Sequence, residues 1–349
     1  MTLLVIIIVL ALIFDFINGF HDAANSIATV VTTKVLTPLQ GVLWAAFFNF
    51  MAFFYAKFIA HGFKIADTIA KSVNKDAFTG EELMHVVLAG IIAAIFWNLF
   101  TWWRGIPSSS SHTLIGGFAG AAIALGGFGA IVSSEIIKIV LFIFLAPVIG
   151  FVGSIIITIA TLHLVKKGKP ARIEKWFKRL QLVSSAWLSL QHGLNDSPKV
   201  MGIICVAIIA YNNMVDVASI PHWLQLSEIN NVHDWVPFAC FTAIAIGTMS
   251  GGWKIIKTMG NKITKIQQVE GFCAQTAGSL TLTLTAHLGI PVSTSHVISG
   301  SIMGVGSVKR LSAVRWGVTS DMITAWILTI PVSAILAAII YSIMSLFTA

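Results

Sequence analysis

Charge is scarce in this chain. Asp, Glu, Lys and Arg make up 10% of its 349 residues, while hydrophobic residues make up 56%. A soluble domain carries about 25% charged residues, so composition excludes a water-covered globule of this length. The mean hydropathy of +0.88 points the same way. Cysteine is scarce too: Cys205, Cys240 and Cys273 lie far apart in apolar stretches, with no CxxC pair. That excludes a disulfide framework or a cysteine zinc site and leaves small packing residues. The net charge is +8, but the excess sits in short loops between apolar runs. Such a pattern orients a protein in a bilayer and does not indicate nucleic-acid binding.

Long apolar runs are what the chain has instead. They cover approximately 3–33, 39–60, 84–103, 105–127 and 131–165, then 180–211, 235–253, 268–288, 290–308 and 312–346. A helix needs about 20 apolar residues to cross a bilayer, so the expected fold is an all-α polytopic membrane protein. The first run, from Leu3 to Phe14, lacks a basic leader and is read as a retained helix, not a signal peptide. Runs 3–33, 131–165, 180–211 and 312–346 exceed one span, which predicts tilt or an internal break.

Loop charges set the orientation. The cluster from Lys166 through Arg179 is the densest basic segment and is placed in the cytoplasm. The loop 212–234 carries Asp216, Glu228 and Asp234 with no Lys or Arg, and is placed outside. Lys254, Lys257, Lys262 and Lys265 bring the next loop back inside, as do Lys309, Arg310 and Arg315 if 290–308 crosses. Five crossings per half is an odd number, so the halves have inverted topology and both termini face outward. The expected division is a first repeat at 1–165, a basic linker at 166–179 and a second repeat at 180–349. Stretches 105–127 and 290–308 are either crossings or re-entrant hairpins.

Two polar motifs interrupt the apolar runs, and each occurs once per half. One pair is Gly19-Phe20-His21-Asp22-Ala23-Ala24-Asn25-Ser26 and Gly193-Leu194-Asn195-Asp196-Ser197-Pro198-Lys199-Val200. The other is Gly105-Ile106-Pro107-Ser108-Ser109-Ser110-Ser111-His112 and Gly289-Ile290-Pro291-Val292-Ser293-Thr294-Ser295-His296. Aligned without gaps, 105–120 and 289–304 agree at 8 of 16 positions: Gly-Ile-Pro, two serines, the histidine and two glycines. Matched helix-breaking interruptions in two halves point to broken helices or re-entrant hairpins at a transport site. Gly116 and Gly120, like Gly300 and Gly304, form small-xxx-small faces suited to close helix packing.

The residue types suggest their chemistry. Proline stops one helix and the hydroxyls cap the next. Free backbone N–H groups and hydroxyl donors then form an anion site without a fixed cation. The candidates are Ser109, Ser110 and Ser111 with Ser293, Thr294 and Ser295. His112 and His296, at equivalent places, are read first as hydrogen-bonding residues. Asp22 and Asp196 are ionisable groups inside spans, which are functional-site candidates by default. Asn25 shares a helical face with Asp22, and Asn195 adjoins Asp196. Carboxylates with amide carbonyls suit a small hard cation or a proton. Lys199, in the slot matching Asn25, is placed to neutralise Asp196 or the substrate. Glu135, Glu270 and Asp321 fall near span ends and are read as interfacial.

With His192 ahead of Gly193-Leu194-Asn195-Asp196, these four segments together resemble the inorganic phosphate transporter (PiT) family, in its order and over nearly the whole chain. The resemblance implies a secondary transporter of inorganic phosphate, built from inverted repeats in the bilayer, not an enzyme, and a homodimer. It implies that the Ser/Thr runs bind phosphate and that Asp22, Asn25, Asn195 and Asp196 bind the coupling ion. Sodium-coupled members usually have Asn where His21 stands and glutamates where Asn49 and Gln275 align. Losing two acids and gaining an imidazole, ordinarily titratable near neutral pH, makes the chain more similar to the bacterial low-affinity, proton-coupled branch of the inner membrane. His21 therefore joins the ion-coupling candidates. Members of that branch are also associated with carrying phosphate as a neutral divalent metal complex. No cofactor and no resident metal are implied. Three other readings stay open: sodium coupling, another oxyanion such as sulfate, and an intramembrane enzyme acting on a lipid phosphate. The last lacks HExxH and GxSxG signatures and would not need an inverted copy of its site.

Overall fold

The computed structural model describes residues 1–348 except 61, 75–76, 217–218, 253–254, 257–258 and 260–261. Lys254 and Lys257, read above as part of an inner loop, lie outside the described residues. Among the described residues there are eleven α-helices: α1 (Thr2–Thr32), α2 (Pro38–Tyr55), α3 (Lys64–Lys71), α4 (Gly80–Arg104), α5 (Ser110–Gly126), α6 (Ser133–Val165), α7 (Pro170–Asn212), α8 (Trp235–Ser250), α9 (Gln268–His287), α10 (Thr294–Lys309) and α11 (Trp316–Thr348). No strand occurs among them, only an isolated bridge between Val73 and Ile131.

Six of the ten apolar runs become helices long and apolar enough to cross a membrane: α1, α2 with its continuation to Ala60, α4, α6, α7 and α11. Helices α5, α8, α9 and α10 are shorter or more polar. With 17 residues, α5 is about 25 Å long at 1.5 Å per residue, less than the roughly 30 Å hydrocarbon core. The outward faces of α6 and α11 expose Ile137, Leu141, Phe144 and Val148, and Ile327, Ile335, Ile339 and Ile343. Apolar area of that extent fits lipid, not water. Lys138 pairs with Glu135 and Lys309 with Glu270, which places both acids at helix ends as expected.

One expectation is corrected. The Gly19–Ser26 and Gly193–Val200 segments do not break their helices: α1 and α7 run through both. None of their glycines adopts a positive φ; they are there for close approach. A Cβ on Gly19 would strike the backbone of α8 at Ile244, and one on Gly193 would lie 2.8 Å from Asn49 O of α2. The long helices α1, α6, α7 and α11 likewise carry no internal break, and Pro147, Pro198 and Pro331 are accommodated within them. The 166–169 turn is short, and Pro170 at the first helical position starts α7 inside the basic cluster.

The true breaks are at the serine motifs, and they are built alike. Gly105 and Gly289 both take φ 68°, a left-handed position that favours glycine. Ile106 N–H then reaches back to Thr101 O, and Ile290 N–H to Thr285 O, closing each preceding helix. Pro107 and Pro291 prevent its resumption. Ser109 Oγ accepts from His112 N (3.2 Å) and Ser293 Oγ from His296 N (3.3 Å), capping α5 and α10. Helix α3, between the second and third apolar runs, closes over the second turn: Lys64 Nζ donates to His287 O and Thr68 Oγ1 to Gly289 O.

Packing is reciprocal between the halves. Helix α1 lies against α8 while α7 lies against α2; α5 lies against α11 while α10 lies against α6. The small-residue faces make the latter pair possible. Gly116 and Gly120 meet the α11 backbone at Ile330 and Ala334, and Gly300 and Gly304 meet α6 at Pro147 and Phe151. Each buried apolar cluster consequently mixes residues from both halves, such as Leu4, Val87, Cys205 and Ala337 in one.

Candidate functional site

Four helices converge on one buried polar hub. Asp22 and Asn25 come from α1, Asp196 and Lys199 from α7, Ser110 and Ser111 from the start of α5, and Thr294 and Ser295 from the start of α10. All are at least 96% buried. Spacing explains the first two pairs, since residues three or four apart share a helical face. The hairpin breaks explain the others, because they leave the first turns of α5 and α10 aimed at the hub.

Around Asp22, Ser110 Oγ lies 2.9 Å from Oδ2 and Ser295 Oγ 3.2 Å from Oδ1. Asn25 Nδ2 donates to Ser295 Oγ (2.8 Å) and Thr294 Oγ1 (3.1 Å). Around Asp196, Thr294 Oγ1 donates to Oδ2 at 3.1 Å. Lys199 Nζ donates to Asp196 Oδ1 (2.6 Å), Ser111 Oγ (2.5 Å) and Val292 O (2.7 Å). An ammonium thus stands among these hydroxyls, paired with Asp196. A buried ammonium and carboxylate tolerate desolvation only as such a hydrogen-bonded pair.

Several hydroxyls face more acceptors than they have protons. Ser110 Oγ is also 2.6 Å from Asn18 Oδ1, and Ser295 Oγ is 3.1 Å from Asn25 Oδ1. Thr294 Oγ1 stands between Asp196 and Asp22, 3.5 Å from the latter. A hydroxyl donates one proton only, so the hub is rich in acceptors and short of donors.

His21 adjoins the hub. Its Nδ1 is 2.9 Å from Asp22 Oδ1, and its Nε2 is 3.1 Å from Thr101 Oγ1 and 3.4 Å from Ser108 Oγ. Thr101 and Ser108 also line a cleft of about 530 Å³ beside Arg104, Lys262 and Asp321. On the α7 side, His192 Nε2 lies 3.1 Å from Asp196 Oδ2 and its Nδ1 3.2 Å from Asn49 Oδ1. Asn49 Nδ2 in turn donates to Thr248 Oγ1. Gln275 behaves similarly, donating to Thr29 Oγ1 and accepting from Ser184 Oγ. An ionised carboxylate is acceptor-only, so the donor half of either role belongs to the amide.

Not every candidate reaches the hub. Asn195 Nδ2 donates to Gln191 O and, at 3.4 Å, to Leu282 O, facing α9. The Ser109 and Ser293 hydroxyls serve as caps. His112 and His296 meet edge to face at 4.7 Å, joining the hairpins, and Trp326 stacks on His296 at 4.0 Å while donating to Pro107 O. Asp15, Asn18 and His192 were not singled out as site residues from sequence. The available signal was the spacing 15, 18, 22, 25 on α1 and 192, 196, 199 on α7, one helical face in each case. Among the described residues, Asp22, His192 and Asp196 offer ligand atoms within 4.8 Å of one another, close enough to share one cation.

Residues 18–337 match the model of the phosphate transporter family. A probable low-affinity inorganic phosphate transporter of Rhizobium meliloti (strain 1021) is 43% identical over 339 residues, covering 97% of this chain and 96% of that protein. One of the same description from Bacillus subtilis (strain 168) is 44% identical over 348 residues, with 99% and 98% covered. A solved structure of a sodium-dependent phosphate transporter superposes with a TM-score of 0.83 at 26% identity, covering 99% of this chain and 100% of that one. These relatives are transporters, so the intramembrane-enzyme reading falls away. Family model and sequence relatives agree: the chain belongs to the phosphate transporter family.

Proposed function

We propose that this protein is a proton-coupled symporter of inorganic phosphate in the bacterial inner membrane, working by alternating access. The observation that carries the reading is the competition at the hub. The hydroxyls that would hold phosphate, those of Ser110, Ser111, Thr294 and Ser295, are engaged by Asp22, Asp196 and Lys199. Phosphate and carboxylates are both acceptors and need the same donors. A proton on Asp22 turns an acceptor into a donor and frees Ser110 and Ser295, so anion and proton favour each other's binding. Lys199 offers phosphate a positive charge once its hold on Asp196 loosens. Phosphate carried as a neutral divalent metal complex fits the same logic, with the metal as cargo.

His21 beside Asp22 and the neutral amides Asn49 and Gln275 support protons over sodium. The two halves are then inverted repeats, 1–165 and 180–349, joined by the cytoplasmic 166–179 segment, with both termini outside. The assembly expected from the family resemblance is a homodimer. A second reading, sodium coupling, draws on the Asp22, His192 and Asp196 cluster and on the sodium-dependent structural relative. Labelled phosphate uptake into proteoliposomes, under separate proton and sodium gradients, tests both. Uptake driven by the proton gradient alone is expected; a sodium requirement overturns proton coupling. Suppression by equimolar sulfate would move the substrate assignment to oxyanions in general.

A further inference from the structure

Asp15 is the buried acid that the hub does not use. It lies two helical turns before Asp22 on the same face of α1 and is 0% exposed. Neither carboxylate oxygen reaches a donor in hydrogen-bonding geometry. The polar side chains beside it are Asn18 and Ser197, and the Ser197 hydroxyl is itself without a partner. The titratable groups facing it are Asp196 and Lys199 from α7 and the Cys240 thiol from α8. Lys199 does not neutralise it, because that ammonium is held by Asp196, Ser111 and Val292 O. Its neighbours along α1, Ala11 and Phe14, belong to the apolar cluster that includes Met201, Cys205 and Cys240.

An ionised carboxylate in such a place has lost its water and gained no paired cation, with only the off-geometry approach of Asn18 and Ser197 in return, whereas a carboxylic acid is tolerated there. Asp15 is nonetheless linked to the hub. Asn18, one turn further along α1, accepts from the Ser110 hydroxyl, which also faces Asp22. Asp196 and Lys199 place their charges close enough for Asp15 to sense any change in their pairing.

We propose that Asp15 is a second proton-binding carboxyl of the transport path, holding its proton in this conformation and exchanging it when phosphate rearranges the Asp196–Lys199 pair. The proposal rests on the proton-coupled reading above. The test uses the full chain in proteoliposomes with a pH-sensitive dye inside, comparing wild type with Asp15→Asn, an isosteric mimic of the neutral acid. The variant is expected to keep the thermal stability and phosphate binding of wild type. Its proton-driven uptake should fall about tenfold or more, and fewer protons should enter per phosphate. Unchanged uptake with an unchanged proton-to-phosphate ratio overturns the proposal.

A wild type that moves phosphate with sodium and no protons defeats the symport reading instead. Asp15 is then judged by infrared spectroscopy of the purified protein. A protonated-carboxyl C=O band at neutral pH, lost in Asp15→Asn and shifted in Asp15→Glu, supports the proton site. Its absence in wild type overturns it, including where Asp15→Asn fails to insert.

Discussion

Lys199 Nζ and Asp196 Oδ1 are 2.6 Å apart, one helical turn from each other on α7 and almost completely buried. The ammonium also holds Ser111 of α5 and the Val292 carbonyl ahead of α10. One side chain thus ties α7 to both hairpins and supplies the fixed positive charge of the hub.

Removing that charge alone should be costly. Lys199→Met leaves Asp196 buried without its cation and is expected to destabilise the protein by about 3–5 kcal/mol. The double variant Asp196→Asn with Lys199→Met should recover most of that stability and still fail to transport. Heat-denaturation midpoints in detergent, set beside uptake, separate the two effects. Equal stability of single and double variants would mean that the pair is not what Lys199 contributes.

Asp22→Asn should abolish uptake, at least ~100-fold, while the protein still inserts and purifies as a single species. The amide cannot take up and release a proton, and its NH2 group changes the donor balance around Ser110 and Ser295. Normal uptake by this variant would remove Asp22 from the coupling assignment.

The parts of this site that were legible in sequence were those written twice. Gly-Ile-Pro followed by hydroxyls predicts a helix stop and a restart, and Gly105 and Gly289 carry it out with the same φ. Asp22 and Asp196 were visible for the same reason. Asp15 was not, because the matching position on α7, at the offset that aligns Asp22 with Asp196, is Ser189. The amide partners of Asn49 and Gln275 come from other helices and depend on packing that no local pattern encodes. The first motif was read as a helix break because glycine and proline commonly interrupt helices. Here Gly19 and Gly193 serve helix contact, and a helix held by neighbours on several sides tolerates Pro198.

The glycine contacts make a paired prediction. Gly304→Val and Gly120→Val should each destabilise by about 1–3 kcal/mol, since the added carbons meet the backbone at Phe151 and at Ala334. Gly129→Ala, with nothing near its built Cβ, is the control and should leave the melting temperature unchanged. A tolerated Gly304→Val would show that α10 and α6 can separate without loss.

Arg104 and Lys262 flank the cleft that reaches Ser108. If anions approach from that side, Arg104→Gln with Lys262→Gln should slow uptake several-fold at low ionic strength. The difference should shrink in high salt, where steering is screened. A defect independent of salt would assign these residues another role.

Orientation can be read by labelling, because all three native cysteines are buried. A cysteine replacing Lys167 should react with an impermeant maleimide only after the inner face is exposed. One replacing Ser227 should react from outside. The opposite pattern would invert the topology.

The exchange of packing partners also bears on how the chain is made. Helix α5 rests on α11, which leaves the ribosome long after it, since the intervening residues number roughly half of these 349. The serine turn of the first half must therefore wait, already in the membrane and without its neighbour, until α11 has been made. A product truncated before α11 would leave Gly116 and Gly120 facing lipid, a natural mark for quality control. Two halves expressed from separate genes should assemble only when made together, each acting as the other's scaffold.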